Sequence, residues 1–119
     1  MKAVLYARVA SRSQDENENK IENQLDQLEA YCKQRSIQVV KVYYDVGCGM
    51  DFNRKGYREM ITDIEKGVVN VHLLICTGNS RLSRDLTSTF LVAKTMLKHK
   101  VKIRFINTLN FKKEQNGNN

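Results

Sequence analysis

Apolar residues along this chain fall into four short runs, separated by three stretches in which they recur at helical spacing. Ala3-Val4-Leu5-Tyr6 is a compact run with branched and aromatic members, and it predicts a buried first strand. From 19 to 34, Ile21, Leu25, Leu28 and Cys32 line one face of a helix, which leaves Glu22, Asp26 and Glu29 on its solvated side. Ile37–Tyr44 is rich in β-branched and aromatic residues and predicts a second strand. Asp45–Asn53 reads as a loop. A helix then starts near Arg54, with Tyr57, Met60, Ile61 and Ile64 as its stripe and Gly67 as its stop. Val68–Cys76 predicts a third strand, with His72 inside it, and its near-continuous apolar character suits a strand covered on both faces. Asp85–His99 predicts a third helix with Leu86, Phe90, Leu91, Met96 and Leu97 toward the core, and Val101–Ile106 a last strand.

Strands that alternate with helices this way imply parallel pairing through crossovers. The expected architecture is α/β: three layers, with a mostly parallel sheet of four to five strands and helices on both faces. The expected organisation is one domain over 1–107 and a polar, disordered tail over 108–119.

The chain carries a net charge of +7, yet residues 15–29 hold six of its 13 acids and a single lysine. The positive charge is thus concentrated elsewhere, which favours a polyanionic partner such as nucleic acid. No apolar run is long enough to cross a membrane, and the N-terminus lacks a secretory signal pattern. Cys32, Cys48 and Cys76 are widely spaced, which disfavours a disulfide framework or a thiolate metal site and suits a reducing cytoplasm. His72 and His99 have no partner at metal-ligand spacing, so neither metal nor cofactor is expected.

Polar loops follow the first three strands. The first carries Arg8, Ser11, Arg12 and Gln14, the second Asp45, Cys48 and Arg54, and the third Ser80, Arg81, Ser83 and Arg84. In a parallel sheet all three open on one edge, where ligands of such folds bind. Guanidinium groups gathered there repel one another unless an anion lies between them, so a phosphate-binding crevice is expected. Arg12 and Arg58 read as ordinary surface residues. No phosphate-cradling glycine fingerprint is present, which leaves little support for a nucleotide-binding flavodoxin-like reading.

Tyr6-Ala7-Arg8-Val9-Ala10-Ser11, Gln24, Asp45-x-Gly-x-Gly, Asn53-Arg54-Lys55-Gly56 and Ser80-Arg81-Leu82-Ser83-Arg84-Asp85 together resemble the catalytic domain of serine site-specific recombinases, the resolvase/invertase group. The first helix region, with Ile21-Glu22-Asn23-Gln24, is most similar to the large serine integrase and transposon-recombinase branch. The resemblance implies a metal-free DNA transesterase. A serine hydroxyl attacks a backbone phosphate, joins the DNA 5′ end and frees a 3′ hydroxyl before strands are exchanged in a tetramer. It implies that Arg8, Arg54, Arg81 and Arg84 bind phosphate, that Gln24 belongs to the active site, that Asp45 orders it and that Tyr6 packs beneath it.

The departures bear on activity. The family reads Arg-Val-Ser-Thr where this chain reads Arg8-Val9-Ala10-Ser11, so the nucleophile position falls on Ala10, which has no hydroxyl. Three readings compete: a naturally degenerate domain, an engineered serine-to-alanine change, or Ser11 as substitute nucleophile. The last is disfavoured because neighbouring side chains of an extended segment point to opposite faces. Cys48, a second substitute by chemistry, reads better as a small loop residue. The family's long dimerisation helix and DNA-binding domain are expected to be absent. DNA binding by this chain alone is then weak and salt-dependent, and dimers or tetramers belong to the full-length context. A non-catalytic phosphate-binding or subunit-assembly module that keeps the fold is the alternative.

Overall fold

A computed structural model describes residues 1–9, 21–47, 54–77 and 86–106, with side chains in the last stretch from 92 onward. Four strands and three helices alternate: β1 (Lys2–Val9), α1 (Ile21–Gln34), β2 (Gln38–Val46), α2 (Lys55–Glu65), β3 (Leu73–Cys76), α3 (Leu86–Lys98) and β4 (Lys102–Phe105). The sheet order is β2-β1-β3-β4, and every pairing is parallel. All four strands therefore end on one edge, as expected from the alternation.

β1 is central, and Ala3 to Val9 are all buried. Its alternation divides the core in two. Val4 and Tyr6 join Tyr43, Leu74 and Cys76 of the sheet to Met60 and Ile64 of α2 and to Val92 and Met96 of α3. Ala3 and Leu5, on the other face, meet Leu73, Ile75 and the Leu28–Tyr31–Cys32 face of α1. Helices thus cover both sides, which is why β1 and β3 read as unbroken apolar runs. Glu22, Asp26 and Glu29 lie on the exposed side of α1, as their spacing predicted.

Several boundaries differ from expectation. β3 is confined to Leu73–Cys76; Val69 and Val71 are buried in the core but precede the strand. Those valines answer a demand for burial that the turn after α2 meets without ladder pairing. His72 also precedes β3, where its Nδ1 accepts the Lys2 N–H at 3.1 Å. β2 starts one residue later than predicted and runs on through Asp45 to Val46, because Arg8 and Val9 of β1 continue the pairing. Its register shifts between Ala3 and Val4, so Val40 is the extra residue of a bulge. Leu97, expected in the core, is 80% exposed, and Val92 and Met96 supply the described packing of α3. Gly67 does end α2: with φ of 73° it takes the left-handed conformation, and the Val68 N–H closes on the Asp63 carbonyl at 2.8 Å.

Candidate active site

The C-terminal edge is built outward from Asp45. This residue pairs in register with Arg8 across β1 and β2, and it is buried despite its charge. A buried carboxylate needs donors, and Asp45 has three described ones. The Tyr6 hydroxyl donates to Oδ2 at 2.6 Å, the Tyr57 N–H to Oδ2 at 2.8 Å and the Gly56 N–H to Oδ1 at 2.7 Å. Asp45 therefore caps α2 from a neighbouring strand, placing negative charge where the helix dipole favours it. Burial first, and then the bond to Asp45, push the Tyr6 phenol well above the ordinary tyrosine range. Tyr6 is a locked neutral donor.

So close a junction leaves no room at Gly56. A Cβ there would lie 2.2 Å from the Tyr44 carbonyl oxygen and 3.2 Å from Asp45 Oδ1. Arg54, the residue before α2, has φ 45° and ψ 53° and makes no side-chain capping bond. A left-handed arginine costs on the order of 1 kcal/mol, which the surrounding packing must offset. Its guanidinium carbon lies 4.0 Å from the centre of the Tyr57 ring and 5.6 Å from that of Tyr6, and Nη2 donates to the Tyr6 hydroxyl at 3.2 Å. The two rings meet edge to face at 5.9 Å.

Arg8 leaves β1 two residues after Tyr6, hence on the same face. It is 6% exposed, and Nη1 donates to the Gly47 carbonyl at 3.2 Å. Its backbone is held by Gln24, whose Nε2 donates to the Arg8 carbonyl at 3.0 Å while Oε1 accepts the Arg8 N–H at 3.3 Å. The Thr77 hydroxyl reaches the same Oε1 at 3.5 Å. β3 ends at Cys76 while β1 runs on to Val9. The Gln24 amide supplies the backbone-like donor and acceptor that a longer β3 would have offered.

Tyr6, Arg8, Gln24, Asp45 and Arg54 are thus brought to one end of the sheet. Ala10, Ser11, Cys48, Arg81 and Arg84 lie outside the described residues. An open cavity of about 390 Å³ beside Asp45 is lined by Tyr43, Val46, Lys55 and Glu59 among others, and includes neither Arg8 nor Arg54. Among the described residues no group of carboxylate, imidazole and thiol ligands could hold a metal ion. Sequence reasoning missed the capping role of Asp45, the close approach at Gly56 and the stacking role of Tyr57. A glycine directly after Arg-Lys at a helix start was the one signal available for the second. Cys76 is fully buried beneath this edge, and burial raises its thiol far above the ordinary range, which makes it inert.

The sequence matches the family model for the resolvase N-terminal domain over residues 3–118, and the chain belongs to that family. Solved relatives are serine recombinase catalytic domains. At 28% identity, the C-terminal catalytic domain of ISC1926 TnpA, an IS607-like serine recombinase, matches with a TM-score of 0.75 over 89% of this chain and 67% of that one. The N-terminal catalytic domain of TP901-1 integrase, also 28% identical, matches with a TM-score of 0.77 over 89% of this chain and 78% of that one. A resolvase family site-specific recombinase from Streptococcus pneumoniae, 22% identical, shares the fold with a TM-score of 0.78 over 89% of this chain and 72% of that one.

Proposed function

We propose that this chain is the catalytic domain of a site-specific DNA recombinase in which Arg8, Arg54, Arg81 and Arg84 hold the backbone phosphate to be cut. The observation that carries this reading is the delivery of two buried-based guanidinium groups, Arg8 and Arg54, to the carboxyl end of a parallel sheet in a chain of the resolvase family. The connection bearing Arg81 and Arg84 departs from β3, a strand that ends on the same edge. Negative charge spreads over the phosphate oxygens during transesterification, and fixed guanidinium groups offset it without reorganising. Asp45 and Gln24 act through others in this reading: Asp45 fixes Tyr6 and the start of α2, and Gln24 fixes the Arg8 backbone.

Cleavage needs an oxygen nucleophile that attacks phosphorus while the 3′ oxygen departs, leaving the DNA 5′ end esterified to protein. Ala10 offers no such oxygen, so the chain as it stands binds phosphate without cutting. DNA and further copies of the same subunit are the proposed partners. No helix among the described residues is long and apolar enough to cross a membrane.

Duplex DNA binding tests the first part. Affinity should fall steeply with added salt, and Arg8→Ala, Arg54→Ala, Arg81→Ala and Arg84→Ala should each weaken it. Parent-like affinity in all four variants would overturn the phosphate assignment. Incubation with supercoiled DNA bearing the matching site tests the second. The parent should form no covalent adduct, and Ala10→Ser in a full-length context should restore one on residue 10. An adduct mapped to Ser11 in the parent would sink the inert reading.

A further inference from the structure

We infer that Tyr57 is a positioning residue for Arg54, presenting its guanidinium to phosphate in a fixed position; this rests on reading Arg54 as a phosphate-binding group. An arginine side chain has many rotamers, and binding an anion in one geometry requires that freedom to be removed. One backbone constraint and two contacts remove it here. The backbone at Arg54 is set in the left-handed region at φ 45°. Tyr6 fixes one corner of the fork through the 3.2 Å bond to Nη2. Tyr57 seats the group, because its ring centre lies 4.0 Å from the guanidinium carbon, where attraction to the ring quadrupole is strong.

The ring is itself anchored. The Tyr57 N–H is bound by Asp45 at 2.8 Å, and the ring edge meets Tyr6 at 69°. One carboxylate therefore holds the hydroxyl, the helix start and the base of the ring on which Arg54 rests. The same bonds occupy the Gly56 and Tyr57 N–H groups, so the first turn of α2 does not present those donors to an anion. Positive charge at this corner is delivered by the Arg54 side chain, which makes its orientation matter. Tyr57 is half-buried, and its helical spacing with Met60, Ile61 and Ile64 marks it as core. A purely packing role would be met by leucine, whereas seating a guanidinium needs an aromatic face.

The test uses the whole chain with side-chain NMR and a duplex oligonucleotide. In the parent, the Arg54 Hε and Hδ resonances should be shifted upfield by the ring current. Tyr57→Phe should preserve the shift and the affinity. Tyr57→Leu should sharply reduce the shift, leaving the smaller contribution of Tyr6, and weaken binding by about two- to thirty-fold. Arg54→Lys should bind more weakly than the parent, because an ammonium cannot lie flat on the ring. Unshifted Arg54 resonances in the parent, or the same resonances in Tyr57→Leu, would overturn the inference. Parent-like affinity of Tyr57→Leu beside a weakened Arg54→Ala would overturn it alone. Parent-like affinity of Arg54→Ala would overturn the phosphate reading with it.

Discussion

Two tyrosine–aspartate pairs pin α2 to the sheet, and they serve different ends. At the start of the helix Tyr6 donates to Asp45 at 2.6 Å. Toward its end Tyr43 donates to Asp63 at 2.7 Å. Both carboxylates are 9% exposed or less. The difference lies in the cation. Asp63 is met by Lys41 at 2.8 Å, which also reaches Glu59 at 2.9 Å, and this lysine head lies at the surface. Around Asp45 the described donors are a phenol and two backbone amides, and the nearby cation, Arg54, stacks on Tyr57 and bonds to the tyrosine hydroxyl. The Asp63 cluster has its own cation in Lys41 and acts as a clip. The Asp45 cluster orders a guanidinium at the edge where strands end.

Removing each carboxylate should expose that contrast most sharply. Asp45→Ala strips the buried Tyr6 hydroxyl of its acceptor and uncaps α2, and about 2–4 kcal/mol of stability should be lost. Chemical denaturation would measure it, and DNA affinity should fall with it because Arg54 loses its frame. Gly56→Ala drives a methyl group onto the Tyr44 carbonyl, and about 1–3 kcal/mol should be lost. If Gly56→Ala is neutral, the close junction between β2 and α2 is not as rigid as the geometry implies. Asp63→Ala should cost about 1 kcal/mol through the Tyr43 hydroxyl, with DNA affinity unchanged. A fall in affinity there would erase the distinction between clip and site.

The core was legible in the sequence because burial leaves a compositional mark. β1 and β3 are apolar on both faces, α1 on one, and the acidic face of α1 is solvated as its spacing required. That mark records burial and not pairing, which is why Val69 and Val71 extended the predicted third strand into a turn. Asp45 was read as loop because a charged residue is a poor strand signal; among the described residues the Tyr6 hydroxyl and the N-terminus of α2, both distant in sequence, make its burial tolerable. Arg8, Gln24, Asp45 and Arg54 were legible as a set through motif order. The way they are held was not. The Gln24 amide on the Arg8 backbone, the left-handed Arg54 and its seat on Tyr57 each depend on elements brought together by the fold.

The smallest effect expected is the pH dependence of the Asp63 clip. The Lys41 ammonium and then the Tyr43 hydroxyl bond to Asp63 and hold its carboxyl below the usual carboxylate range. A group whose acidity is strengthened by folding stabilises the fold above its unfolded pKa, near 4. That stabilisation disappears as pH falls through the lower folded value. Lys41 is shifted upward, chiefly by its bond to Asp63, so its contribution is present below the ordinary lysine range and is lost as pH rises through the folded value. The clip should thus be strongest between the two limits, and weakened by salt because its lysine is exposed. Asp63→Asn should flatten the acid limb of a stability–pH profile, and Lys41→Met the alkaline limb. Tyr57→Phe, acting only at the other pair, should leave both limbs in place. An acid limb that survives Asp63→Asn would mean that the carboxylates governing acid unfolding lie elsewhere in the chain.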